Sequence, residues 1–195
     1  MKKYSRIFKL LTIAQFAFMA MQVSASEKLD PRYTGELHPP IIISEKNKKT
    51  VILFLKNNLK DEIKTAHVAN GEIYYLQVQP IISELNYVWK VEGDQISSVF
   101  FYEWTSPERA GKSMYLLTKT MISNNLFEGA SYSVTEFPIL LEGEKLSLNF
   151  FPGDIQDSKL QNCHDGVNLK DNTSIICPYK TAHSIKKYLE SQDKQ

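Results

Sequence analysis

Four histidines, two cysteines and a run of aromatic side chains are the residues of this chain whose types could carry chemistry. Histidine titrates near neutral pH and is the commonest metal ligand. His38, His67, His164 and His183 are nowhere paired at two-, three- or four-residue spacing, so the chain holds no local zinc motif of the His-Glu-x-x-His kind, and no metal or cofactor is expected. The best acid–base candidate is His164-Asp165, because a loop closed by Cys163 and Cys177 holds an imidazole still and a nearby carboxylate favours its charged form. Adjacent side chains rarely face one another, however, and no nucleophile can be named beside the pair. No catalytic residue is assigned; the competing reading is a solvated loop histidine.

Two further patterns resemble ion or phosphate sites and fail on spacing. Ala110-Gly111-Lys112-Ser113 has the tail of a phosphate-binding loop, but the motif requires a glycine where Ser106 stands. Asp154, Asp157, Asp165 and Asp171 with Asn162, Asn168 and Asn172 supply oxygen ligands, yet without the alternating register and terminal Glu of a calcium loop. Turn chemistry accounts for them without an ion. Asn172-Thr173-Ser174 is formally a glycosylation acceptor, relevant only in a eukaryotic source.

Cys163 and Cys177 are the only cysteines, and the polar residues between them describe a loop, so a disulfide is the simple expectation. In the chain-entropy description, closing a loop of that size stabilises a fold by about 3 kcal/mol.

The aromatic middle of the chain is the other candidate for function. Alternation along Val99 to Trp104 places Phe100, Tyr102 and Trp104 on one face and Val99, Phe101 and Glu103 on the other. Tyr74, Tyr75, Tyr87 and Trp89 on neighbouring segments could extend one of those faces. Tyr and Trp join a large apolar body to a polar tip, which suits a surface that is wet when free and covered when bound. Two readings stand at this point: a binding face led by Tyr102, Trp104, Trp89 and Tyr75, with His164 and Asp165 as a second candidate site, or a core face covered by helices.

Export is the clearest expectation. Lys2, Lys3, Arg6 and Lys9 precede an uncharged, mostly apolar run from Leu10 to Met21, and Val23-Ser24-Ala25 offers small residues to a signal peptidase, so residues 1–25 read as a leader cleaved after Ala25. The run is shorter than the roughly 20 apolar residues a bilayer crossing needs. The leader holds four basic and no acidic residues, so its removal leaves 19 basic against 22 acidic side chains, net −3, on 170 residues. That near-neutral chain lacks the basic, aromatic-interleaved patch a nucleic acid requires.

The elements that must position these residues read as follows. Residues 26–40, with four prolines and glycines and no apolar period, form an extended arm, and residues 41–195 a single domain. Ile41 to Ile43 is a short strand; Val51, Leu55, Leu59 and Ile63 recur at helical spacing, although Val51 to Leu55 alone fits a buried strand equally well. Strands are expected at Glu72 to Val78, Tyr87 to Val91 and Ile96 to Trp104, the last two joined as a hairpin through Glu92-Gly93-Asp94-Gln95. Thr105-Ser106-Pro107-Glu108 reads as a helix start, continued by the stripe Ala110, Met114, Leu117 and Met121. Tyr132 to Leu141 and Lys145 to Phe151 form a second hairpin, and Thr181 to Glu190 a terminal amphipathic helix. The expected fold class is α+β, a mainly antiparallel sheet of about five strands packed with about two to three helices and one disulfide. Size and the lack of a catalytic motif favour an exported module, periplasmic or secreted, that acts by protein–protein contact; a small hydrolase with a dispersed His/Asp site is the alternative.

Overall fold

Apolar residues at alternate positions, and in one segment at every position, fold this chain into strands. The computed structural model describes residues 33–45, 48–57, 71–78, 83–142, 145–150 and 157–194. Residues 1–25, read as a leader, and the helical stretch expected beyond Asn57 lie outside them.

Four strands, β1 (Tyr33–Glu45), β2 (Lys48–Asn57), β3 (Gly71–Val78) and β4 (Ser83–Val91), form an antiparallel meander in the order β1-β2-β3-β4. A second antiparallel sheet has the order β10-β9-β7-β6-β5, built from β5 (Gln95–Trp104), β6 (Gly111–Ser123), β7 (Phe127–Glu142), β9 (Cys163–Asn168) and β10 (Thr173–Ile175). The long β7 pairs with β6 along one edge; its other edge takes β9 at Phe127 to Tyr132 and β8 (Lys145–Leu148) at Ile139 to Glu142. In the gap between them, Gln161 Nε2 donates to the Val134 carbonyl and the Asn162 N–H to the Ser133 hydroxyl. Helix α1 (Ala182–Asp193) closes the chain, capped by Thr181, whose hydroxyl accepts from the Ser184 N–H.

Two apolar layers hold these elements. Ile52, Phe54, Ile73 and Val91 of the four-stranded sheet meet Met114, Leu116, Phe137 and Leu148 of the six-stranded sheet. On the far side of the six-stranded sheet, Phe100, Trp104, Tyr115, Leu117 and Val134 pack under Ile185 and Leu189 of α1 and under Leu160.

The expected α+β domain with two to three helices is thereby corrected to a mainly β architecture, with one α-helix among the described residues. Of the stripe Ala110, Met114, Leu117 and Met121, Ala110 ends the turn and the other three lie on β6, where Ser113 to Thr118 are all buried because the four-stranded sheet covers one face and α1 the other. A strand covered on both faces carries apolar residues at every position, and such a run satisfies a helical period by coincidence. The helix-start signature at Thr105 to Glu108 makes a turn instead: Pro107 follows Ser106, and the Arg109 N–H donates to the Ser106 carbonyl at 3.0 Å. Likewise Val51 to Leu55 belongs to β2, whose Ile52 and Phe54 point inward.

A second correction concerns the hairpin expected at Glu92 to Gln95. Its two arms, β4 and β5, lie in different sheets, so the segment is a crossover. Gly93, at φ +116°, sits where a Cβ would come 2.9 Å from Cβ of Thr118, and the Asp94 N–H donates to the Lys119 carbonyl at 2.9 Å. The hairpin of β7 and β8 forms as expected, with Glu142 opposite Lys145 and with Leu146 and Leu148 buried.

Candidate functional site

Beneath the turn that joins β5 to β6, beside the C-terminal half of α1, the surface opens into a cavity of about 420 Å³. Four residues form a closed ring in its wall. The Trp104 indole Nε1–H donates to the Tyr115 hydroxyl at 2.9 Å. The Tyr115 phenol stands under the charge of Glu136, its partner across β6 and β7, Glu136 accepts from the Arg109 guanidinium, and that guanidinium lies 3.9 Å from the Trp104 ring centroid. Burial first, and the Glu136 carboxylate second, push the Tyr115 phenol far above its ordinary value, so it stays a proton donor. Antiparallel register creates this meeting, because Tyr115 is directly opposite Glu136 across β6 and β7.

The turn above the cavity is held by α1. Asp193, in its last turn, accepts from the N–H groups of Thr105 (3.0 Å) and Ser106 (2.8 Å) and from the Thr105 hydroxyl (2.8 Å). Partial burial pushes the Asp193 carboxyl up, but those hydrogen bonds outweigh it and hold the group at about 2.

Of the binding candidates read from the sequence, Trp104 is buried and lines the cavity. Tyr102 lies beside it, the rings edge to face at 5.1 Å, with its hydroxyl donating to Asp193 at 3.3 Å. Trp89 belongs to the other layer, 4.3 Å from the Phe150 ring between the two sheets. Tyr75 is on β3, paired with Ile52 and Asn86. The structure thus brings Tyr102 and Trp104 together and separates them from Trp89 and Tyr75.

The cysteines form the expected disulfide, with Cα atoms 5.4 Å apart, across the hairpin of β9 and β10. Bonds of this kind form and persist chiefly in oxidising compartments outside the cytosol. Within this hairpin, Asp165 accepts from Lys180 Nζ at 2.8 Å and from the Cys177 N–H at 3.1 Å, which hold its carboxyl below the usual range. His164 packs its exposed ring against Phe127, 5.3 Å between centroids. No hydrogen bond joins His164 to Asp165, whose charge is matched by Lys180. The remaining Asp and Asn residues here make turns, Asn168 capping the Lys170 N–H and Asp171 the Thr173 N–H. Among the described residues no group of three or more potential ligands could hold a metal ion, and no helix is long and apolar enough to cross a membrane.

Arg109, Tyr115, Glu136 and Asp193 escaped the sequence reading. Each is of a common type, and no short-range pattern joins residues as far apart as Thr105 and Asp193.

A second feature lies on the outer face of the four-stranded sheet. The register aligns Ile42, Val51, Leu76 and Leu85 in one row across all four strands and Leu53, Tyr74 and Tyr87 in the next. Ile42, Leu85 and Tyr87 are 61%, 56% and 52% exposed.

The site and fold define a disulfide-bonded protein in which the described residues form two packed antiparallel sheets with one flanking helix. Compared with models of known protein families, with characterised proteins and with solved structures, the chain matches none.

Proposed function

We infer that the mature domain is an exported binding module, periplasmic or secreted, acting by contact with another protein in the manner of an inhibitor, an immunity-type protein or an accessory subunit. The observation that carries this reading is the pair of apolar rows on the four-stranded sheet. An exterior sheet face ordinarily alternates polar residues outward, whereas here Ile42, Leu85 and Tyr87 stand in water beside Val51, Leu53, Tyr74 and Leu76. Contiguous apolar surface of this kind marks an interaction site, and its tyrosines suit a surface that is alternately wet and covered. The leader and the disulfide support the export half of the reading.

The test is affinity capture by the mature protein from envelope and medium fractions of the producing cells, in parallel with a Leu85→Lys/Tyr87→Lys variant. A protein retained stoichiometrically by the parent and lost by the variant, with unchanged urea unfolding, is the expected result. Equal retention by both proteins, or no stoichiometric protein on either, overturns the reading.

A further inference from the structure

The cavity beside Trp104 lies on the opposite side of the six-stranded sheet from the proposed protein-contact face, and it has a chemistry of its own. Its floor is apolar, formed by Val134, Leu160 and Leu189. Its charged side chains are each engaged already: Arg109 with Glu136, Asp157 with the Tyr188 hydroxyl, and Lys112 with the Phe101 ring, 5.2 Å from its Nζ and packed in the layer between the two sheets. A ligand bearing net charge would find no unmatched partner and would lose hydration.

One polar group is left over. Ser113 is 4% exposed, shares the cavity face of β6 with Tyr115, and its hydroxyl makes no hydrogen bond among the described residues. No side-chain polar atom there is both sealed from solvent and unpartnered, so the hydroxyl opens onto the cavity. The space is within the range of small-molecule sites and holds far more than the roughly 30 Å³ of one water. Its polar wall is preorganised by the ring of Trp104, Tyr115, Glu136 and Arg109.

We propose that this cavity binds a small uncharged amphiphile: an apolar body seated on Val134, Leu160 and Leu189, with one hydroxyl or carbonyl group hydrogen-bonded to Ser113. The inference is independent of the sheet surface and stands or falls separately.

The chain contains two tryptophans, Trp104 in the cavity wall and Trp89 between the sheets, so two indole N–H signals locate the ligand. The mature protein, disulfide intact and labelled with nitrogen-15, is titrated with straight-chain alcohols from butanol to octanol, then with octanoate and octylammonium. The expected result is a saturable shift of the Trp104 signal with that of Trp89 unmoved. Affinity should rise about fourfold per methylene until the space is filled, and both charged analogues should bind at least about tenfold more weakly than octanol. Ser113→Ala should weaken octanol about fivefold with the urea midpoint unchanged. No saturable shift, movement of the Trp89 signal alone, a charged analogue binding as tightly as octanol, or unchanged octanol affinity in folded Ser113→Ala overturns the proposal. The comparison of head groups on the parent protein decides the matter if the variant does not fold.

Discussion

The Trp104 indole N–H and the Tyr115 hydroxyl meet at 2.9 Å under the terminal helix, so the aromatic strand face is covered rather than exposed at its most apolar point. Trp104→Ala then removes a buried ring and should cost about 3 to 5 kcal/mol. Trp104→Phe keeps most of the packing and loses mainly the hydrogen bond, about 1 kcal/mol. Urea melts of the three proteins check this order; a Trp104→Ala protein as stable as the parent would show that the ring is not part of the core.

Asp193 ties the end of α1 to the β5–β6 turn, and its ionisation makes that tie sensitive to acid. Its carboxyl titrates at about 2 in the folded protein and at about 3.9 when unfolded. A depressed folded value means that the contribution is complete above about pH 4 and disappears as pH falls through 2. Asp193→Asn should be less stable than the parent near neutral pH, and the gap between their urea midpoints should close on acidification from about pH 4 to 2. A gap that stays constant over that range would dissociate the charge of Asp193 from its role.

The bond between Cys163 and Cys177 closes the β9–β10 hairpin. Alkylation of the exported, folded protein without reductant should label neither thiol. Replacing both cysteines with alanine should lower stability by about 3 kcal/mol, read from denaturant midpoints.

Processing is checked by intact mass. The exported protein should begin at or near Ser26, as the small residues Val23, Ser24 and Ala25 imply. A product that retains Met1 and sediments with membranes would contradict cleavage.

Much of the local structure was legible in the residues themselves. Leu146 and Leu148 alternate with Ser147 because β8 has one buried face. The terminal helix was readable from Ile185, Tyr188 and Leu189 at helical spacing after Thr181, since capping and a single apolar stripe act within a few residues. The disulfide followed from there being only two cysteines.

What the sequence by itself determined, then, is what depends on near neighbours: the cysteine pairing, the β7–β8 hairpin, the last helix and the Asx turns between the cysteines, where the expected loop proved to be the paired strands β9 and β10. Only the tertiary structure decided that β6 is a strand, because its period is obscured once both faces are covered. Tertiary packing also decided that Gly93 carries the chain from one sheet to the other, since a short polar connection has the same composition whether its arms pair or part. The ring of Trp104, Arg109, Tyr115 and Glu136 belongs to the same class: register across β6 and β7 sets Glu136 opposite Tyr115, and a hydrogen-bonded register is a property of paired strands, not of either strand alone.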